Sequence, residues 1–326
     1  MTPKLAFVFP GQGSQSLGML QELANEFPII QQTYQEASAS LDYDLWELTQ
    51  QGPEELLNQT QHTQPALLTA SVALWRLWQQ LDGPKPEFLA GHSLGEYTAL
   101  VCAGTLEFEQ AVSLVALRGR FMQEAVREGE GAMAAIVGLD DATVLSICAQ
   151  AAQGEILSPA NFNSVGQIVL AGEQQAISRA IDLAQQAGAK LAKQIPVSVP
   201  SHCLLMKPAA ERLARHLEGI TLAKPKIPVV TNVDVICYDD PEKIRTALVR
   251  QLYNPVRWVE SMQYLYQSGV RQLIECGPGK VLAGLNKRIN SDLNTLSINS
   301  SASLQQALAS KKTSLLPEEG ESIRKI

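Results

Sequence analysis

Apolar residues fall along the chain in two patterns: short continuous runs and longer stretches with helical spacing. Leu5–Phe9 is a continuous apolar run closed by Pro10-Gly11, the pattern of a strand buried on both faces. The stretch PALLTASVALWRLWQQL predicts a helix beginning at Pro65, a first-turn position for proline, and ending at Gly83-Pro84. Glu87–Ala90 predicts a second strand running into Gly91-His92-Ser93, with helices from Leu94 and over Phe108–Arg127. Strand–turn–helix alternation of this kind predicts a parallel sheet covered by helices.

The rhythm changes near Gly131. Met133–Val137 predicts a strand, and Asp140 is placed to cap a helix running through Gln150. Strands at Ile156–Asn161 and Gln167–Leu170, a helix at Glu173–Ala187 and a strand at Leu191–Val199 follow. The order β-α-β-β-α-β is the split pattern of ferredoxin-like modules. The expected class is therefore α/β. A large domain over 1–130 and 200–310, with a mostly parallel sheet, carries an inserted ferredoxin-like unit over 131–199. The main chain resumes with a helix after Ser201-His202, then strands at Ile227–Asn232 and Gln272–Cys276. Residues 311–326, rich in Lys, Glu and Ser, read as a flexible, solvated tail.

Composition narrows the function classes. The chain has 326 residues, 45% of them hydrophobic and 18% charged, enough for a full core. A net charge of −7, without a long basic stripe, argues against nucleic-acid binding. The five cysteines form no C-x-x-C pair and read as free thiols in a reducing compartment. The N-terminal apolar run is too short for a membrane span or signal core, so a cytoplasmic location is expected. No metal site is predicted.

Gly91-His92-Ser93-Leu94-Gly95 matches G-x-S-x-G, the elbow of α/β hydrolases. A serine on a sharp strand-to-helix turn exposes its hydroxyl next to the free N–H groups of the helix start, and the flanking glycines allow close packing. The alternative is a tight turn with a capping serine. A serine hydroxyl needs a base, and the chain has four histidines. His92 adjoins the serine and points elsewhere. His62 lies in the polar stretch NQTQHTQ, read as a solvated loop, and His216 in ERLARHLEG, read as a helix surface. His202, in VSVPSHCLLMKP, stands where a strand passes into a helix, the place where α/β folds gather active-site groups. Of the acids, Asp140, Asp141, Glu155, Glu173 and Asp182 all fall in the proposed inserted unit, at caps or surface positions. A dyad whose histidine is held by a neutral acceptor is favoured over a triad.

Pro10-Gly11-Gln12-Gly13 follows the first strand. Its spacing does not fit a dinucleotide fingerprint, and a loop donating the Gln12 N–H to an oxyanion hole, opposite Leu94 N–H, is the better reading. Gly277-Pro278-Gly279-Lys280 lacks P-loop spacing and reads as a turn before a helix. Arg118, in the apolar stretch LVALRGRF, is either a structural ion pair or a bidentate clamp on a substrate carboxylate.

FVFPGQGSQ, GHSLGEYTAL, ALRGRFMQ, SPANFNS, VPSH and LIECGPGKVLAGL occur in that order between about Lys4 and Ala307. Together they resemble the malonyl-CoA:acyl carrier protein transacylases of bacterial fatty-acid synthesis. The resemblance implies Ser93 as the acylated nucleophile and His202 as its base. It implies Gln12 and Leu94 as oxyanion donors, Arg118 as the malonyl clamp, and the Gln251 backbone carbonyl as the group orienting the histidine. Asn161 and Asn163 resemble cleft-lining residues. It also implies malonyl-CoA and acyl carrier protein as partners, no cofactor, and a monomer. Lys190, Lys193, Lys280, Lys287 and Arg288 are candidates for meeting an acidic carrier. The rival readings are a serine esterase or thioesterase, and a non-catalytic acyl-carrier-binding module.

Overall fold

The computed structural model describes residues 4–197 and 199–309; the predicted tail at 311–326 lies outside them. In chain order the elements are β1 (Lys4–Phe9), α1 (Gln21–Glu26), α2 (Pro28–Ser38), α3 (Leu45–Gln51), α4 (Glu54–Leu57), α5 (Thr60–Gln80), β2 (Phe88–Gly91), α6 (Leu94–Cys102) and α7 (Phe108–Ala125). Next come β3 (Gly131–Val137), α8 (Asp141–Ala152), β4 (Leu157–Ser164), β5 (Gln167–Glu173), α9 (Gln174–Gln186) and β6 (Leu191–Gln194). The chain closes with α10 (Lys207–Glu218), β7 (Val229–Val230), α11 (Pro241–Gln251), α12 (Trp258–Gln267), β8 (Val270–Glu275), α13 (Val281–Ile289), β9 (Asn294–Ser297) and α14 (Ser301–Ala309).

Five strands form a parallel sheet in the order β7-β2-β1-β8-β9. The continuous apolar run is its central strand: Leu5, Phe7 and Phe9 enter one core layer, Ala6 and Val8 the other. Phe7 meets Trp75 and Trp78 of α5 edge-on at 5.2 and 5.3 Å, so one face of the sheet is closed by aromatic packing. The second sheet, in the order β4-β5-β3-β6, is antiparallel throughout. Helices α8 and α9 pack on one of its faces, around Ile136, Leu170, Ile147 and Ile177. This is the ferredoxin-like arrangement, and the Asp140 carboxylate caps α8 by accepting from Thr143 N at 2.7 Å. The antiparallel sheet is tied through backbone to the segment between α11 and α12: Phe162 N donates to Val256 O at 3.0 Å, and Val256 N to Ala160 O at 2.9 Å.

Several elements differ from the sequence expectation. Helix α5 starts at Thr60, so Pro65 lies inside it. The missing proline N–H removes one bond, to the Gln61 carbonyl. Sixteen of the helix's residues are buried, and that packing holds the helix through the proline. His62 therefore sits on the first turn of a helix, half-buried against the Tyr43 ring at 4.9 Å, rather than on a solvated loop. The strand expected over Leu191–Val199 ends at Gln194, because Ile195 N makes the last bond to Met133 O and Pro196 follows. The strand expected over Ile227–Asn232 is only Val229–Val230, an edge pairing with β2. Helices α1–α4, β9 and α14 have no counterpart in the sequence reading.

Candidate active site

Strands β1 and β2 are parallel neighbours with Phe9 opposite Gly91, so the loops that leave their C-terminal ends face each other. One loop carries Gln12 and the other Ser93. Close packing explains the glycines. A Cβ on Gly91 would lie 1.8 Å from the Gly95 carbonyl carbon, and one on Gly95 would lie 2.1 Å from Phe9 O. Between them Ser93 is held at φ 53°, ψ −107°, a region that side-chain-bearing residues rarely enter. It occupies the N-cap position of α6, yet its side chain makes no capping bond. The capping alternative is thereby removed.

The hydroxyl instead turns to His202: Ser93 Oγ lies 2.8 Å from His202 Nε2. On the other side of the ring, His202 Nδ1 lies 2.8 Å from the Gln251 backbone carbonyl. A carbonyl only accepts, so Nδ1 carries the proton, and the Nε2 lone pair faces the serine O–H. Burial, and then the nearby Arg118 cation, lower the imidazole pKa from 6.5 to about 3. The ring is neutral and ready to accept a proton. None of the acids weighed from the sequence hydrogen-bonds the ring; Asp140 caps α8, Glu155 pairs with Arg179, and Glu173 accepts from Ile156 N.

Arg118, on α7, is 1% exposed. Its Nη1 donates to Gln64 Oε1 at 2.7 Å, and its Nη2 to Gln251 Oε1 at 3.0 Å and Ser93 Oγ at 3.3 Å. The guanidinium lies over the Tyr97 ring at 5.2 Å. Among the described residues no carboxylate lies within ion-pair distance of it, and its Nε has no partner. A buried cation without a direct ion-pair partner, aimed at the nucleophile, can receive a carboxylate.

Two residues that the sequence reading does not single out complete the floor. Asn232 follows β7; its Oδ1 accepts from Ser93 N at 2.7 Å and its Nδ2 donates to Gly91 O at 2.6 Å. With Ser93 N so engaged, the first unpaired N–H of the elbow is that of Leu94, which opens α6. Glu96 is buried on the same helix and accepts from Gln251 Nε2 at 2.7 Å and Asn232 N at 3.1 Å. Burial raises its carboxyl from 4.5 to about 7. A polar residue at the end of a parallel strand was the available signal for Asn232. For Glu96 it was an acid within the apolar helix LGEYTALVC.

A cleft of about 910 Å³ opens over this floor, lined among others by Gln12, His92, Ser93, Asn161, Met133 and His202. Gln12 fixes its own side chain by donating to Thr60 Oγ1 at 3.1 Å. Asn161 reaches the cleft. Asn163 does not line it; its Oδ1 lies 2.8 Å from His92 Nε2. Register breaks in β4 at Pro159/Asn161 and Phe162/Ser164 keep the two asparagines from acting as a simple same-face pair. His92 thus has a positional bond of its own, directed away from the dyad.

Parallel sheet, strained elbow and neutral imidazole together describe an α/β fold that presents a serine–histidine pair at its strand ends. The model of the acyl transferase domain family matches residues 6–307. The chain belongs to this family and is an acyltransferase. It is 59% identical over 305 residues to a malonyl CoA-acyl carrier protein transacylase of Salmonella typhimurium, covering 94% of this chain and 99% of the relative. Its fold superimposes on an acyl carrier protein S-malonyltransferase from Vibrio cholerae with a TM-score of 0.91 and 58% identity, covering 93% of this chain and 99% of the other. It also matches a malonyl-transacylase solved in complex with a type II PKS acyl-carrier protein, with a TM-score of 0.93 and 59% identity, covering 94% and 99% of the two chains.

Proposed function

We propose that this acyltransferase moves a malonyl group from malonyl-CoA to the phosphopantetheine thiol of acyl carrier protein, through a malonyl ester on Ser93, in fatty-acid synthesis. The observation that carries this reading is the pairing of two features within one site. A serine–imidazole pair is held by the Gln251 carbonyl, and a buried Arg118 that makes no direct ion pair with a described residue has Nη2 3.3 Å from the serine oxygen.

In the first half-reaction the free malonyl carboxylate settles on Arg118, displacing the weak Nη2 contact to Ser93 Oγ. Ser93 Oγ attacks the thioester carbonyl while its proton passes to His202 Nε2. The oxyanion rests on the N–H groups of Gln12 and Leu94. His202 returns the proton to the CoA sulfur as the C–S bond breaks, leaving malonyl-Ser93. In the second half the carrier thiol gives its proton to His202, attacks the ester, and Ser93 Oγ leaves with that proton. No metal or redox cofactor enters these steps. Asn161 forms part of the cleft wall contributed by the inserted unit at 131–199, and Asn163 steadies His92. The same reading has the protein working as a cytoplasmic monomer that meets its carrier through exposed cations, among them Lys190, Lys193, Lys280, Lys287 and Arg288.

Mass spectrometry after mixing with malonyl-CoA tests the reading. One malonyl adduct on Ser93, discharged by holo-acyl carrier protein, is expected. Rapid release of free CoA without carrier would favour an esterase, and no adduct would favour a binding module.

A further inference from the structure

Glu96 lies beneath the elbow and takes no part in the steps above. It is 2% exposed, and two donors converge on its Oε2: Gln251 Nε2 at 2.7 Å and the Asn232 backbone N–H at 3.1 Å. A backbone N–H can only donate, so the atom it meets must accept. A proton carried by the carboxyl therefore belongs on Oε1, and Oε2 stays an acceptor in either charge state. The Gln251 amide meets that same oxygen and must present its NH2 group to it. The second Nε2 hydrogen goes to Ser93 O at 3.0 Å. The amide oxygen is then left facing Arg118 Nη2 at 3.0 Å. Were position 96 unable to accept, one amide hydrogen would lose its partner, Ser93 O alone would hold the NH2 end, and the amide would be free to tilt away from the guanidinium. Gln251 is also the residue whose backbone carbonyl holds His202.

We infer that Glu96 is a positioning residue for the reaction. Its fixed acceptor oxygen, together with Ser93 O, anchors the NH2 end of the Gln251 amide, and through Gln251 it aligns both the Arg118 guanidinium and the carbonyl that orients His202. Three segments meet at this one atom: α6, the end of α11, and the turn after β7. None of them neighbours another in sequence, so the elbow, the base and the clamp share a single registration point. The groups around Glu96 are Arg118 from α7, Asp234 and Asn232 from the turn after β7, Gln251 from α11 and Tyr97 on its own helix. The inference rests on Ser93 and His202 being the reacting pair. If that is wrong, the wild-type protein forms no serine adduct. If only the role of Glu96 is wrong, the adduct forms and the variants below behave like wild type.

The test compares Glu96→Ala with Glu96→Gln, which keeps an acceptor oxygen of the same reach. Three quantities are read: kcat with malonyl-CoA and with acetyl-CoA, the melting temperature, and the proton NMR signal of the His202 Nδ1–H. E96A is expected to lower kcat roughly 10- to 100-fold for both acyl groups, as small misplacements of reacting groups do, and to move the Nδ1–H signal. E96Q is expected to restore most of the rate and the wild-type signal. A merely structural Glu96 would lower the melting temperature while leaving the signal and the rate per folded enzyme in place, and that result would overturn the inference. Equal losses in E96A and E96Q would overturn it too, because charge rather than acceptor geometry would then be at work. Should E96A fail to fold, Gln251→Met breaks the same bond from the other side while keeping the backbone carbonyl. It should reproduce the loss and the moved signal, and an unmoved signal would refute the role.

Discussion

His202 and Gln251 are joined by a bond from ring nitrogen to backbone oxygen, Nδ1 to O at 2.8 Å. The carbonyl fixes the tautomer and the ring plane, but unlike a carboxylate it brings no negative charge to stabilise an imidazolium. The bond to Gln251 favours the protonated ring, but burial and the Arg118 cation outweigh it. The ring's low affinity for protons follows from burial and from Arg118.

The pH dependence of acyl transfer should show this directly. A depressed imidazole stays neutral, and so competent, well below its ordinary 6.5. The acid limb of kcat/KM is expected below that value. A malonyl carboxylate on Arg118 offsets the cation and lets the imidazole pKa rise, so the acid limb of kcat should lie at higher pH than that of kcat/KM. Replacing Arg118 by Ala should raise the kcat/KM limb for acetyl-CoA. A limb at or above 6.5 in the wild-type enzyme would contradict the depressed base.

Arg118→Ala should separate the two acyl groups by rate as well. A charge-assisted hydrogen bond contributes about 1.5–3 kcal/mol, so malonyl transfer should fall at least roughly tenfold further than acetyl transfer. Paired kcat/KM measurements decide this. Equal losses would show that the guanidinium serves the dyad rather than the carboxylate.

Ser93 holds a left-handed backbone at φ 53°. Glycine enters that region freely, whereas alanine does not. Strain of this kind amounts to about 1–3 kcal/mol, and glycine's chain entropy cancels roughly 0.5–1 kcal/mol of the gain. Both S93G and S93A should lose the adduct, yet S93G should melt about 1–2 °C above S93A. Differential scanning calorimetry of the two inactive variants checks it, and an S93A that melts higher would mean the elbow is relaxed.

Asn232→Ala strips the partners from Ser93 N and Gly91 O, both at the elbow. Leaving two such groups unpaired should cost about 2–4 kcal/mol. Denaturant unfolding should report that loss, and the remaining folded enzyme should acylate more slowly. Wild-type stability would show that solvent replaces the amide.

Much of this molecule is visible in its sequence because the signals are local. The run Leu5–Phe9 fixes a central parallel strand, and Gly91 and Gly95 mark a packing distance that only hydrogen side chains permit. His202 emerges from a count of histidines, whereas the strand expected to end beside it stops at Gln194. The bounds of β6 and β7 were not legible, since a strand's length is set by what its neighbour can pair with: β7 meets β2 over two residues only. Pro65 misplaces a helix start because burial along α5 outweighs one lost bond. Asn232 and Glu96 act through bonds spanning 139 and 155 residues, which no local pattern records. Arg118 stands between two readings in the sequence, and among the described residues no carboxylate lies within ion-pair distance of it.

The backbone bonds of Val256 to Ala160 and Phe162 join the ferredoxin-like sheet to the segment that follows Gln251. A cleft whose Asn161 wall is tied to the main chain on either side should act as a gauge of set width rather than a jaw. Variants that accept bulkier acyl groups should therefore arise by trimming side chains on the walls, such as Met133 or Val199, and insertions that widen the gap between the sheets should cost the alignment of the base first.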